Sequence, residues 1–301
     1  MSVESFLDGE ITLEIRCFCK EENMQIKKFT DSHSLSELVR PIYIVIPAAG
    51  LGLRMGISDS KQFLKIQGVP VLAHTLLAFA KWKTEYNLKL HAVLVTNQEN
   101  LERAKELVDE YQIDFVEKIV EGGATRQESV SAGIAALASL PRAPKANDQV
   151  FIHDGARCLI DQSTLTKLFL AGARYDVCVA ATPCKNTIKA IVKPSVAENA
   201  AASGSINSDM TENAVTEAPI VDHTLERDTL YEVQTPQVFR YRVLLEVNEK
   251  AKEMGIVATD DTALAEACGI PVHLITCSYG NIKITTPEDV ALAEFILSQQ
   301  S

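Results

Sequence analysis

The amino-acid sequence predicts an α/β fold: a mainly parallel sheet with helices on both faces. Two observations carry that prediction. Short apolar runs rich in β-branched residues alternate with helix-length amphipathic segments from residue 42 to about residue 182, the pattern of parallel strands joined by crossover helices. Polar, glycine-rich clusters recur where those runs end, at Ala48–Lys61, Gly122–Ser129 and Asp154–Arg157. In open sheets of this class, ligands sit beyond the carboxyl ends of the strands.

Residues 1–40 carry eight acidic and five basic side chains and read as an amino-terminal extension of unassigned role. Pro41 marks a boundary, and Ile42–Ile46 is the first core strand. Lys61–Ile66 and Val69–Leu72 are short extended pieces about the Gln67-Gly68 turn. Leu72–Trp82 has helical apolar spacing. His91–Thr96 is a strand, Glu99–Tyr111 a charged helix and Phe115–Val120 a third strand. Ser129–Leu140 is a helix of small residues, Gln149–His153 a fourth strand, Gln162–Tyr175 a helix and Val177–Thr182 a fifth strand.

From about Cys184 the pattern changes. Asn186–Val192 and Val221–Leu225 are short strands flanking Pro194–Pro219, a stretch of Ala, Ser, Asn, Glu and Thr too poor in apolar residues to bury a core. This predicts an arm over 186–227 that projects from the body. Leu230–Val233, Gln234-Thr235-Pro236-Gln237, helices over Tyr241–Met254 and Asp260–Cys268, and a last strand over Val272–Thr276 follow. Asn281–Thr285 leads to a closing helix, Pro287–Leu297, with Thr286 as cap and Pro287 in its first turn. No internal repeat occurs.

The stretch Ile42–Gly56 followed by Lys61 organises the chain. A buried strand ends in small residues and glycines, so the backbone can turn and approach a ligand. Successive N–H groups there form an anion-binding concavity, beside which Arg54 and Lys61 add two positive charges. A dinucleotide loop would need a third glycine where Met55 stands, and an acid about 20 positions on; no Asp or Glu lies between Lys61 and Thr84. A Walker-type loop finds no match. The plain alternative is an ordinary strand–turn with a solvated Arg and Lys.

With 301 residues and 47% hydrophobic content the chain can bury a full core. A net charge of −11 argues against nucleic acid as partner. It also means that basic residues at strand ends are local concentrations. Seven scattered cysteines without a C-x-x-C pair read as free thiols. No apolar run of 18 residues implies a membrane span, and no targeting segment is evident at the amino terminus, so the cytoplasm is the expected compartment.

Seven stretches occur in order over residues 42–298: A-A-G-L-G-L-R-M-G with K-Q-F-L, G-G-A-T-R-Q-E-S-V, H-D-G-A-R, K-N-T-I-K, Q-T-P-Q-V-F, A-T-D-D-T-A and N-I-K-I-T-T-P-E-D. Together they resemble the 2-C-methyl-D-erythritol 4-phosphate cytidylyltransferase family. The resemblance implies a doubly wound, Rossmann-like nucleotidyltransferase sheet in a domain over 41–301. It also implies a homodimer through an exchanged β-arm at about 184–233, carrying a low-complexity insert at about 194–219. The implied substrates are CTP and methylerythritol phosphate, with Mg²⁺ held mainly by the triphosphate and no metal-ligating residues.

By the same resemblance, Arg54, Lys61 and Lys283 are the catalytic cations. Ala48, Ala49, Gly50, Gly52, Gly123, Arg126 and Ser129 bind CTP. Asp154, Arg157, Thr187, Arg227, Thr235 and Thr259 face the acceptor, with Thr187 and Arg227 supplied by the partner subunit. Each has a plainer reading. Ser129 suits a helix cap, Asp154 a turn, Lys283 a solvated strand, and His153 reads as strand packing. Asp260 and Asp261 suit a helix's first turn, where its dipole favours acids. Cys158 stands where the family usually has Pro, which would loosen that loop. A ribitol 5-phosphate cytidylyltransferase on the same fold and a catalytically idle nucleotide-binding protein are the alternatives.

Overall fold

The computed structural model describes residues 40–50, 60–192 and 219–299. Expectations for residues 1–39, for Gly52 and Arg54, and for the 194–218 part of the insert lie outside them. The central sheet has seven strands: β1 (Ile42–Pro47), β4 (Leu90–Thr96), β5 (Val116–Glu121), β6 (Gln149–Ile152), β7 (Val177–Pro183), β10 (Tyr231–Arg240) and β11 (His273–Thr276), in the order β11-β7-β10-β6-β1-β4-β5. The small hairpin β2 (Lys65–Ile66) with β3 (Val69–Pro70) lies outside it.

β1 pairs in parallel with β4 and with β6, β4 with β5, and β11 with β7. Only β10 runs antiparallel, between β6 and β7. From β1 the chain steps outward to β4 and β5, then returns to the other side of β1 as β6. The strand order therefore reverses beside β1, which leaves a crevice at the carboxyl ends of β1 and β6.

The helices are α1 (Val71–Glu85), α2 (Leu101–Glu110), α3 (Arg126–Ala138), α4 (Gln162–Arg174), α5 (Tyr241–Glu253), α6 (Asp261–Ala267) and α7 (Pro287–Ser298). Alternation along β1 sends side chains to both faces. Ile42, Ile44 and Ile46 pack with Leu72, Leu76, Phe79 and Trp82 of α1 and with Leu165 and Leu168 of α4. Tyr43 and Val45 pack with Val130, Ile134 and Leu137 of α3 and Val243, Leu244 and Val247 of α5. Each fully buried aliphatic side chain of this kind contributes roughly 1.5–3 kcal/mol. Gly133 lets α3 lie close on the sheet: a Cβ there would fall 2.4 Å from a Val45 methyl. A third apolar cluster, including Ile66, Cys158, Ile284 and Ala293, seats α7 against the hairpin and the loop after β6.

Two local expectations change. The helix expected from Ser129 begins at Arg126, because Thr125 and Glu128 form a capping box: the Thr125 hydroxyl accepts the Glu128 N–H at 3.1 Å, and Glu128 accepts the Thr125 N–H at 2.9 Å. Ser129 is thus not the cap. The extended piece expected at Leu230–Val233 continues through Gln234–Arg240 as one strand, with a register shift between Val233 and Gln237 and a cis Thr235–Pro236 bond. The shift lets a proline sit in an interior strand. In the predicted arm, β8 (Lys189–Ile191) and β9 (Val221–Thr224) pair antiparallel as a separate two-stranded ribbon.

Candidate active site

The crevice holds a cleft of about 490 Å³, lined by backbone and side chains from the ends of β1, β5 and β6 and from the loop before α7. Its walls include Ala49, Gly50, Lys61, Gly123, Arg126, Ser129, Asp154 and Lys283. Eight of the sequence-predicted residues therefore meet at one place, drawn from positions 49 to 283.

Backbone bonds build the loops around it. Ala48 N–H donates to Val95 O at 2.7 Å, tying the β1 turn to β4, and Gly155 N–H donates to Pro47 O at 3.0 Å, holding the β1 and β6 turns side by side. Ala48 itself is buried behind the wall. Gly123 admits no side chain, since a Cβ would lie 2.2 Å from Glu128 Cβ. The Ser129 hydroxyl donates to Thr125 O at 2.9 Å, which occupies it within the first turn of α3.

Asp154 is the electrostatic centre. Its Oδ2 accepts Lys283 Nζ at 2.7 Å, and its Oδ1 accepts Arg126 Nε at 3.1 Å. Burial alone would raise this carboxyl, but Arg126, Lys283 and Arg157 hold it well below the usual carboxylate range. Arg126 also donates from Nη1 to Asp261 Oδ2 at 2.7 Å. Burial opposes its charge, and the two carboxylates more than offset that, so its pKa is raised. Lys61, buried at 8% exposure, donates to Ile284 O at 3.1 Å. Arg157 donates from Nη1 to Asn281 O at 2.8 Å, and its Nε is buried without a hydrogen-bond partner. Arg126, Lys283 and Arg157 thus act on Asp154, and Lys61 lines the same cleft, a local concentration of positive charge in an acidic chain.

His153 belongs to the scaffold. It is fully buried, with its ring edge-on to Phe79. Its Nε2 lies 3.0 Å from Arg157 O, which can only accept, so Nε2 carries the proton. Burial lowers its pKa to about 4, so Nδ1 is an acceptor and takes the Thr235 hydroxyl proton at 3.1 Å. The Thr235 oxygen in turn accepts Asp154 N–H at 3.0 Å. Thr235 therefore positions Asp154 from behind.

The remaining predicted residues lie elsewhere. Thr187 and Arg227 are exposed at the base of the ribbon, and Thr259 is exposed on the loop before α6; none lines the cleft. Sequence reasoning undervalued Asp261 and missed Gln62 and Asn281. Gln62 lines the cleft beside Lys61 with Oε1 buried and unpartnered. Asn281, fully buried, donates to Gln234 Oε1 and to Thr235 O, tying the Lys283 loop to β10. The signals were present as the second acid of D-D and the Gln of K-Q-F-L. Among the described residues no group of three or more His, Cys, Asp or Glu is arranged to hold a metal ion.

The family model for 2-C-methyl-D-erythritol 4-phosphate cytidylyltransferase matches residues 42–211 and 197–299. The chain belongs to this family. It is 36% identical over 259 residues to the 2-C-methyl-D-erythritol 4-phosphate cytidylyltransferase of Halalkalibacterium halodurans, covering 85% of this chain and 97% of the relative. The Dehalococcoides mccartyi relative of the same name is 38% identical over 255 residues, 85% of this chain and 95% of its own. Among solved structures, the 4-diphosphocytidyl-2C-methyl-D-erythritol synthase of Anaerococcus prevotii aligns with a TM-score of 0.63 at 28% identity, covering 85% of this chain and 98% of that one. The 2-C-methyl-D-erythritol 4-phosphate cytidylyltransferase of Thermus thermophilus aligns with a TM-score of 0.61 at 25% identity, covering 86% of this chain and 100% of that one.

The doubly wound cytidylyltransferase sheet is thus the fold of this chain. Its departure from the family at Cys158 leaves the loop packed. Cys158 is 4% exposed within the cluster of Ile66, Leu159 and Ile284, and burial pushes its thiol up to about 12. The side chain fills space in place of a proline ring and has no reactive thiolate.

Proposed function

We propose that the cleft transfers the cytidylyl group of CTP to 2-C-methyl-D-erythritol 4-phosphate. A phosphate oxygen of the acceptor attacks the α-phosphorus, the bond to the β-phosphate bridging oxygen breaks, and pyrophosphate leaves. The relatives' names support the choice of substrates. The observation that carries the chemistry is the set of cations about Asp154 (Arg126, Lys283 and Arg157) in a cleft that Lys61 also lines, at the topological switch point.

Joining two anions in line gathers charge on the equatorial oxygens, so the protein's task is positioning and neutralisation. Lys61 and Lys283 take the triphosphate and the developing charge, with Arg54 as the third cation. The wall formed by Ala49, Gly50 and Gly123, with Ala48 behind it, admits a pyrimidine. Gly52, Arg126 and Ser129 complete the nucleotide side. In the free enzyme, Asp154 serves as counter-ion to Lys283. When phosphates arrive they compete for that lysine, and the carboxylate turns to acceptor hydroxyls while Arg157 takes phosphate oxygens. Thr235 and Thr259 support the acceptor end.

Mg²⁺ or another divalent cation fits this site as a passenger on the triphosphate. The cleft offers one carboxylate, Asp154, already bonded to two cations, so phosphate oxygens must supply most of the ligands. When bound, the ion supplies further charge neutralisation.

The ribbon supports a homodimer. Its Ile191 and Val221 are each 51% exposed, and Ile220 is 72% exposed, an apolar edge suited to a second copy. Thr187 and Arg227 at its base would then reach the partner's cleft. The five described cysteines, all free thiols, support a reducing compartment, the cytoplasm.

The test is ³¹P NMR of the product formed from CTP and either methylerythritol 4-phosphate or ribitol 5-phosphate. A diphosphate-linked product with strong preference for methylerythritol phosphate is expected. Preference for ribitol phosphate would overturn the substrate, and CTP binding without product would overturn the transferase reading.

A further inference from the structure

Arg126 is the first residue of α3, the end of a helix that disfavours a cation. It is also largely withdrawn from water, with 26% of its side chain exposed. Such a placement holds only if anions compensate it. Two do, on different N–H groups. Asp154 takes Nε and Asp261 takes Nη1, which fixes the plane of the guanidinium as well as its charge. The third nitrogen, Nη2, is buried and has no hydrogen-bond partner, on a side chain that lines the cleft. A buried guanidinium donor is costly to leave unmade. Nη2 is closed off from solvent, so the contact open to a ligand belongs to the part of the side chain exposed in the cleft, which the two carboxylates hold in place.

Asp261 is not itself part of the cleft wall. It is buried, at 4% exposure, as the first residue of α6. The helix cap falls to its neighbour, since Asp260 accepts Ala263 N–H at 2.8 Å. The Asp261 carboxylate is thereby released from capping. Its own N–H is anchored by Gln237 Oε1 of β10 at 3.0 Å. The doublet Asp260-Asp261 divides two tasks: one residue starts the helix and the other reaches 135 positions back along the chain to Arg126.

We propose that Asp261 is a positioning residue of the nucleotide site, clamping Arg126 so that the part of its guanidinium exposed in the cleft is presented to the bound CTP. This rests on the cytidylyl-transfer reading. Loss of the clamp frees the guanidinium to turn away from the nucleotide, while Asp154 keeps its bond to Lys283 and its place at the acceptor end.

A double-mutant cycle tests it. CTP dissociation constants by calorimetry, and KM for both substrates, are measured for the parent, Asp261→Asn, Arg126→Gln and the double variant. Losing one hydrogen bond to a charged group should weaken CTP by roughly tenfold in each single variant. The double variant should be no weaker than Arg126→Gln, and KM for the acceptor should stay within about twofold of the parent, the tenfold loss being confined to the nucleotide. Asp261→Glu, which keeps the charge, should recover part of the affinity, and it serves as the probe if the Asn variant does not fold. Multiplying losses, unchanged CTP affinity in Asp261→Asn, or equal loss for both substrates would overturn the clamp. A parent that binds CTP but forms no product would refute the transfer reading while the cycle still reads the clamp.

Discussion

Replacing Asp154 with Asn should destabilise the free enzyme far more than it destabilises the CTP complex. The parent carboxylate is buried and joins Lys283 and Arg126 at 2.7 and 3.1 Å. Removing one member of a buried ion pair costs about 3–5 kcal/mol, because the other charge is left uncompensated. Asn keeps the shape and one acceptor oxygen, and Asp261 still neutralises Arg126, so about 3 kcal/mol is the reasonable value. For a chain of this size that lowers Tm by about 6–12 °C. CTP brings its own negative charge to the same cations and should restore much of the loss. Thermal unfolding followed by circular dichroism at pH 7.5, with and without saturating CTP, reads both quantities. The folded Asp154 pKa lies below its unfolded value, so its contribution is fully present above about pH 4 and lost only as pH falls further. The penalty should therefore be the same at pH 6 and pH 8. A variant melting within about 2 °C of the parent, with no larger gain from CTP, would refute this electrostatic account.

His153 should remain the neutral Nε2–H tautomer down to about pH 5, read by imidazole ¹⁵N shifts. Its folded pKa of about 4 lies below the unfolded value, so stability is full above about pH 6.5 and about 3 kcal/mol is lost as pH falls towards 4. A protonated ring at pH 6 would contradict the buried relay. Gly133→Ala should cost about 2 kcal/mol in urea unfolding, since its methyl would meet Val45 at 2.4 Å; an unchanged midpoint would show that α3 can shift. Ile191→Asp with Val221→Asp should convert a dimer to a monomer by sedimentation, with little change in secondary structure. A monomeric parent would remove the ribbon from the account.

Much of the body was legible because its signals are local. β1 and β4 are apolar runs of strand length, and α1, α4 and α5 carry one buried stripe each, so periodicity alone located them. The helix start at Arg126 was also written locally, in Thr125-x-x-Glu128, but Ser129 four residues on is an equally good cap by residue type. β10 was harder. Its proline argues against an interior strand, and only the pairing to β6 and β7, with a register shift to absorb it, overrides that rule. The cleft residues were found by motif, yet their mutual arrangement was not. Lys283 meets Asp154 across 129 positions and Arg126 meets Asp261 across 135, and no local pattern encodes which acid a base will find. Asp261 was therefore weighed as a helix-end charge, when its position puts it behind an arginine.

The most direct measurement is CTP-dependent pyrophosphate release with methylerythritol 4-phosphate and Mg²⁺, for the parent and for Lys61→Ala side by side, with CTP affinity determined separately. Removing one preorganised cation should cost about 3 kcal/mol of transition-state stabilisation, or roughly 10²-fold in kcat. Acceptor-dependent release by the parent, with that loss in the variant and CTP still bound, is the predicted result. Equal kcat in the two proteins, or no release by the parent in the presence of bound CTP, would contradict the assignment of this cleft as the site of cytidylyl transfer.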